Sequence, residues 1–219
     1  MSLWLTHRVI DVAAIILAAG RSRRMGKFKP LLPFGNQTVI ESCVSNLRAA
    51  GVEEIVVVVG YRAEDVRRQI NSLPVTLILN PNPHSEMSVS IQLGLGATSP
   101  SAKAVLITPV DHPAVPSSII RSLIEHWRDG AKLIQPEFQG KGGHPVLVDL
   151  SYRDELMHLG ESEGLRGFFS HHRQDVLRLP VTSPFVAQDM DTWDDYLRLH
   201  EAVFGHEPAQ SAAPADSND

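Results

Sequence analysis

The chain has 219 residues, 43% apolar and 21% charged, with 20 Lys plus Arg against 25 Asp plus Glu for a formal charge of −5. That mix excludes a fibrous or wholly disordered protein, and it leaves no basic excess for sequence-independent binding of nucleic acid. The single cysteine, Cys43, excludes an internal disulfide and a Cys-only zinc cluster.

Runs of strand length alternate with amphipathic runs of helix length. Val12–Leu17 reads as a buried strand. Thr38–Ala50 reads as a helix: Thr38 and Glu41 have capping-box spacing, and Gly51 stands where a helix stops. Glu54–Val59 (EIVVVV) is apolar on both faces, as parallel strands are. Arg62–Ile70 follows as a helix and Val75–Leu79 as a strand, before Pro81 and Pro83 enforce a loop. Ser88–Ala97 reads as a helix, Ala104–Thr108 as a strand, and Ser117–Trp127 as a helix after Pro116. Lys132–Gln135 and Pro145–Val148 read as strands around a glycine turn, Gly140 to Gly143. Tyr152–His158 and Glu163–His171 read as helices, Val176–Leu179 as a strand and Thr192–Phe204 as a last helix. The alternation predicts an α/β fold with a mostly parallel sheet. One domain is expected over 9–205, with a disordered tail over 206–219 that is rich in Ala, Pro, Ser and Asp. The apolar runs at 12–19 and 55–59 fall short of the ~20 residues that cross a membrane. Met1–Arg8 lacks the pattern of a secretion signal, so the expected address is the cytoplasm.

The first strand empties into Leu17-Ala18-Ala19-Gly20, and the cations Arg21, Arg23, Arg24, Lys27 and Lys29 follow within nine residues. Small residues after a buried parallel strand let backbone N–H groups approach phosphate oxygens, which the cations neutralise. A Walker loop does not fit. Five residues separate Gly20 from Gly26, and Phe28 stands where a magnesium-holding hydroxyl belongs. No GxGxxG pattern is present either.

The strand Ala104–Thr108 runs into Pro109-Val110-Asp111-His112-Pro113. An acid just past a strand end, in a proline-stiffened turn, suits a magnesium ion that takes one or two carboxylates and keeps waters. His112 reads as a loop histidine. Asp189 and Asp191 alternate on one side of an extended segment, so either can supply the second carboxylate. Helix capping is the rival role for Asp191, and Asp194 and Asp195 read as first-turn acids of the last helix. Adjacent His171 and His172 point about 100° apart on a helix and read as surface residues. Cys43, Met87, Trp127 and Trp193 read as packing residues, and His144 has a functional and a structural reading of equal weight.

The spacing L-x-x-G-x-x-x-R-M, then K-P-L, at Leu17, Gly20, Arg24, Met25 and Lys29 to Leu31 resembles the signature loop of nucleotidyltransferases. With Ser85–Leu95, Ile107–Val115, Gly140–Val148 and Asp189–Tyr196, the chain resembles the MobA-like nucleotidyltransferase family, in its molybdenum cofactor cytidylyltransferase branch. The resemblance implies a Rossmann-like nucleotidyltransferase fold, with a mixed, mainly parallel sheet flanked by helices. It implies Mg2+-dependent transfer of CMP from CTP to the terminal phosphate of molybdopterin, with release of pyrophosphate. Carried over residue by residue, Leu17, Ala18, Ala19, Gly20 and Ser88 contact the nucleotide. Arg24 and Lys29 hold its phosphates, Asp111 and Asp191 hold magnesium, and Gly142, Gly143 and His144 face the acceptor. An apo-molybdoenzyme of the hydroxylase type is the implied recipient of the product. The Leu-Ala-Ala-Gly start favours CTP over GTP, although sugar and polyol-phosphate cytidylyltransferases share it. Three departures bear on the acceptor: His112 between Asp111 and Pro113, Trp193 after Thr192, and Gly160–Arg166 in place of a GDxGAR-like segment. Because of that last segment, a non-catalytic carrier of the cofactor stands as the reading from a different class.

Overall fold

The computed structural model describes residues 11–82, 85–160 and 164–208. The ends of the expected domain and tail at 9–10 and 209–219, Pro83 of the loop, and Glu161, Ser162 and Glu163 lie outside the described residues.

Among the described residues eight strands form the main sheet, seven of them along one path. Those seven are β1 (Val12–Ala18), β4 (Glu54–Val59), β5 (Thr76–Leu79), β6 (Ala104–Pro109), β7 (Leu133–Phe138), β9 (Val146–Asp149) and β10 (Val176–Pro180), in the order β10-β7-β9-β6-β1-β4-β5. A two-residue strand, β8 (Lys141–Gly142), pairs with β7. The pairs β1/β4, β1/β6, β4/β5 and β10/β7 are parallel, and β9 runs antiparallel to both β6 and β7. The sheet is therefore mixed and mainly parallel, as expected. The reversal at β9 has a simple cause. Only the short glycine-containing connection through β8 separates β7 from β9, too little for the crossover that a parallel partner needs.

Helices cover both faces. The helices are α1 (Val39–Ala49), α2 (Ala63–Gln69), α3 (Met87–Gly96), α4 (Ser117–Arg128), α5 (Arg153–Met157), α6 (Gly164–His171) and α7 (Trp193–Phe204). Side chains of β1 alternate between two cores, as the two-residue strand period demands. Ala14, Ile16 and Ala18 join Ile40, Leu47, Leu123 and Tyr196 from α1, α4 and α7. Ile15 and Leu17 join Ile91, Leu95, Leu156 and Phe168 from α3, α5 and α6. A Cβ on Gly94 would lie 2.6 Å from Ile15 Cγ2, so glycine there lets α3 lie close against β1.

The expected elements appear within a few residues of their expected ends. The Thr38–Glu41 capping box is formed at the start of α1. A second one, Thr192 with Asp195, starts α7. A small ribbon, β2 (Pro33–Phe34) with β3 (Gln37–Thr38), was not expected from the sequence. It turns at Gly35, which has φ +64°, and its strands are too short to show any alternation.

Candidate functional site

The chain leaves β1 for β4 on one side and later returns to place β6 on the other. The loops after β1 and β6 thus diverge at a topological switch point, where open α/β sheets form their ligand crevices. A cleft of about 330 Å³ lies there, lined by Leu17 at the end of β1, Ala19 and Gly20 of the first loop, and Val110 and Asp111 of the second. The two loops are tied together where Val110 N–H donates to the Leu17 carbonyl at 3.1 Å.

The basic loop is anchored from inside. Met25 and Phe28 are buried in the core, so the chain between β1 and Lys29 is pinned at two points. The amides of Met25 and Gly26 both donate to the Ser22 carbonyl, and the Lys29 amide donates to Ser22 Oγ at 3.1 Å. Arg21, Arg23 and Arg24 stay exposed, while Lys29 is buried.

Lys29 is the hub of the charged site. Its Nζ donates to Asp111 Oδ2 at 3.2 Å and to Asp191 Oδ1 at 2.8 Å. Arg24 takes the other Asp191 oxygen, Oδ2, at 2.5 Å. The fold has thus brought together Arg24, Lys29, Asp111 and Asp191 from 167 residues of chain separation, counted from 24 to 191. Burial alone would push the Asp111 carboxyl up. The adjoining His112 ring and the Lys29 ammonium outweigh it and hold the carboxyl down at about 2.

Of the two alternating acids, Asp191 lines the cleft, while Asp189 is exposed and does not. The buried Met190 between them holds the segment in place. Capping does not consume Asp191 either, because Thr192 supplies the cap of α7. The two carboxylates that converge on Lys29 Nζ fit a divalent cation. A positive ion between them touches both, and an all-oxygen donor pair suits a hard ion that completes its shell with waters and phosphate oxygens.

Several expected contacts fall elsewhere. Ser88 is buried and Ala18 lies in the core, and neither lines the cleft. From that stretch Ser85, Glu86, Met87 and Ser90 face it instead, and Met87 is 48% exposed, so it is not a packing residue. The helical rotation of about 100° per residue explains why Met87 and Ser90 face the cleft while Ser88 turns inward.

Gly142, Gly143 and His144 do not line the cleft either. A Cβ on Gly143 would lie 2.1 Å from the Val186 carbonyl oxygen, so that glycine serves close backbone packing. The Gly143 amide donates to the Pro136 carbonyl and the His144 amide to the Val186 carbonyl, each at 2.8 Å. The His144 ring packs edge-on against His112, with centroids 5.0 Å apart. Burial and the neighbouring His112 push the His144 ring down to about 4, against the opposing effects of Asp111 and the Ile107 carbonyl.

Sequence reasoning undervalued two residues. His112 is buried and bonds Asp111 Oδ1 through Nδ1 at 3.0 Å, so it is no ordinary loop histidine. Asn80, also buried, donates to Ser85 Oγ at 2.8 Å and to Ser90 Oγ at 2.9 Å, and accepts from the Asn82 amide at 3.1 Å. The one signal for it was an Asn placed directly between a strand and a proline. His172 is half-buried against Tyr152 and Phe168 and bonds Glu155, rather than standing free at the surface. Cys43 is buried as expected, and burial together with Asp111 pushes its thiol far above the usual range, which makes it a poor nucleophile.

Comparison with known proteins places the geometry in a family. The MobA-like NTP transferase domain matches residues 14–176, and the chain belongs to that family. The matched range includes Arg24, Lys29 and Asp111 and stops short of Asp191. The molybdenum cofactor cytidylyltransferase of Escherichia coli strain K12 is 27% identical over 193 residues, spanning 87% of this chain and 96% of that protein. The nicotine blue oxidoreductase of Paenarthrobacter nicotinovorans is 26% identical over 197 residues, spanning 86% and 96%. The crystal structure of Rv0371c from Mycobacterium tuberculosis H37Rv in complex with manganese superposes with a TM-score of 0.74 at 26% identity, over 88% of this chain and all of the other. No helix among the described residues is long and apolar enough to cross a membrane.

Proposed function

We propose that this MobA-like NTP transferase moves CMP from CTP to the terminal phosphate of molybdopterin in a Mg2+-dependent reaction that releases pyrophosphate. The observation that carries the reading is the meeting of Lys29 with Asp111 and Asp191, beside Arg24, in the cleft beyond β1 and β6. The acceptor phosphate is already an anionic nucleophile. One of its oxygens bonds to the α-phosphorus of CTP, and the bond to the bridging oxygen breaks with its electron pair, which leaves on pyrophosphate. No general base is needed. The obstacle is the approach of one polyanion to another.

This chain's residues answer that obstacle. Asp111 and Asp191 would hold the divalent ion, which supplies Lewis-acid stabilisation and a template for phosphate oxygens when bound. Lys29 neutralises charge that develops at the α-phosphate, and Arg24, paired with Asp191 at the mouth of the cleft with a side chain 75% exposed, stabilises the leaving pyrophosphate. Leu17, Ala19 and Gly20 present backbone close to the nucleotide. Exposed Met87 offers the cleft an apolar, polarizable face for a flat ring.

The oxidoreductase relative is as similar in sequence as the cytidylyltransferase, so identity does not choose between them. The paired carboxylates and phosphate-directed cations favour transfer. That a homologous protein forms a manganese complex supports a role for a divalent ion. The test is pyrophosphate release from CTP, GTP, ATP and UTP with Mg2+, with and without molybdopterin. Release from CTP only with molybdopterin, abolished by Asp111→Ala, is the expected result. Release from GTP would overturn the base assignment. Release only with sugar or polyol phosphates would replace the acceptor, and tight cofactor binding without any release would favour a carrier that serves an apo-hydroxylase.

A further inference from the structure

We infer that His112 is a positioning residue that locks the Asp111 carboxylate in the orientation its role at the cation site requires. The inference rests on the reading of Asp111 as a metal ligand and adds to it the device that aims the ligand. Asp111 follows the end of β6 and belongs to no helix or strand, so no regular element fixes its side chain. Left alone, the carboxylate would sample several rotamers. Its two oxygens are instead divided. Oδ2 faces Lys29 Nζ at 3.2 Å, and Oδ1 faces His112 Nδ1 at 3.0 Å. An ionised carboxylate can only accept, so Nδ1 must carry the hydrogen and the ring donates.

The histidine is itself held. Its ring is buried, and the His144 ring packs edge-on against it at 5.0 Å and 67°. His144 is fixed in turn by its backbone bond to the Val186 carbonyl at 2.8 Å. His144, His112 and Asp111 therefore form a chain of contacts that ends at the carboxylate. One oxygen is turned inward to the ring, and the other is left directed at the cleft cation. Partners that orient a metal ligand from behind govern affinity in just this way, and losing one costs about 10–100-fold. This also gives the unusual Asp-His-Pro turn a physical role, and it gives His144 a place in the site although it does not line the cleft.

The test is Mn2+ binding by the full chain in the presence of CTP, read by electron paramagnetic resonance of the free ion, with thermal unfolding as a control. His112→Phe keeps a ring and removes the donor, and it is expected to weaken Mn2+ binding about 10–100-fold. His112→Asn returns a donor near the Nδ1 position and is expected to restore binding to within about threefold of wild type, while His112→Gln, whose donor reaches the Nε2 position, is not. Asp111→Asn separates the two levels of the argument. If it abolishes Mn2+ binding while His112→Phe leaves it unchanged, the positioning role is wrong and the metal site stands. If Asp111→Asn also leaves binding unchanged, the metal-site reading falls and takes this inference with it. Should His112→Phe not fold, the Asn and Gln variants decide, and equal affinity in the two overturns the inference.

Discussion

Lys29→Met isolates the electrostatics of the cleft. The ammonium is 10% exposed and stands between two carboxylates that are 20% and 22% exposed, at 3.2 and 2.8 Å. Methionine keeps most of the volume and removes the charge, so Asp111 and Asp191 are left facing one another without their shared cation. Removing one partner of a buried ion pair costs about 3–5 kcal/mol, and the partial exposure of the acids argues for the lower end, about 3 kcal/mol. For a domain of this size each kcal/mol moves Tm by about 2–4 °C, so a fall of about 6–12 °C is expected. Mn2+ can replace the lost charge. At a hundredfold excess over its dissociation constant it returns about 2.7 kcal/mol, close to the whole loss. Wild type should gain less from the same ion, because Lys29 must first be displaced. The assay is differential scanning calorimetry of both proteins with and without Mn2+. A metal-free Tm within about 2 °C of wild type, or an equal Mn2+ shift in both proteins, would refute the shared-cation account.

Arg24→Ala should leave stability within about 1 kcal/mol, since the exposed pair with Asp191 contributes little, while pyrophosphate release falls about a hundredfold or more; urea unfolding and steady-state assays check the two halves. Gly143→Ala should cost about 3 kcal/mol in urea unfolding, because the new Cβ meets the Val186 backbone and not a yielding side chain. Gly20→Ala, with nothing within 4 Å of its Cβ, should stay within about 0.5 kcal/mol and lose nucleotide affinity instead, as isothermal titration will report. His144 makes the fold acid-sensitive. Its folded-state value is about 4, so between the ordinary 6.5 and 4 the unfolded chain binds the extra proton, and stability drops by about 3 kcal/mol as pH falls through that window. Unfolding midpoints at pH 7 and 4.5 should differ less in His144→Gln than in wild type.

The local code was readable for physical reasons that act at short range. Strand β4 announces itself by an unbroken apolar run, and both capping boxes by a Thr and an acid three residues on. The loop after β1 is legible because small residues and cations crowd behind a buried strand. The position of Asp111 just past a strand end could likewise be proposed from the chain alone. Other features depended on distances that no local window contains. The reversal of β9 follows from how short its link to β7 is once β7 has been placed. The choice of Asp191 over Asp189 follows from which of the two the folded chain sets beside Lys29 and Arg24. Ser88 and Met87 exchanged roles because the N-terminal end of α3, and therefore its phase, could not be fixed to one residue.

Sequence by itself determined the α/β class, the basic phosphate loop and the candidate acids, because periodicity, caps and strand-end placement are written within a few residues. Tertiary structure alone decided that Lys29 lies between Asp111 and Asp191, that Gly143 serves packing against Val186, and that His112 backs the Asp111 carboxylate. The first two relations join segments far apart in the chain, and the third depends on the burial of the His112 ring against His144. The parallel pairing of β1 with β6 at the centre of the sheet sets the loops that carry Lys29 and Asp111 side by side.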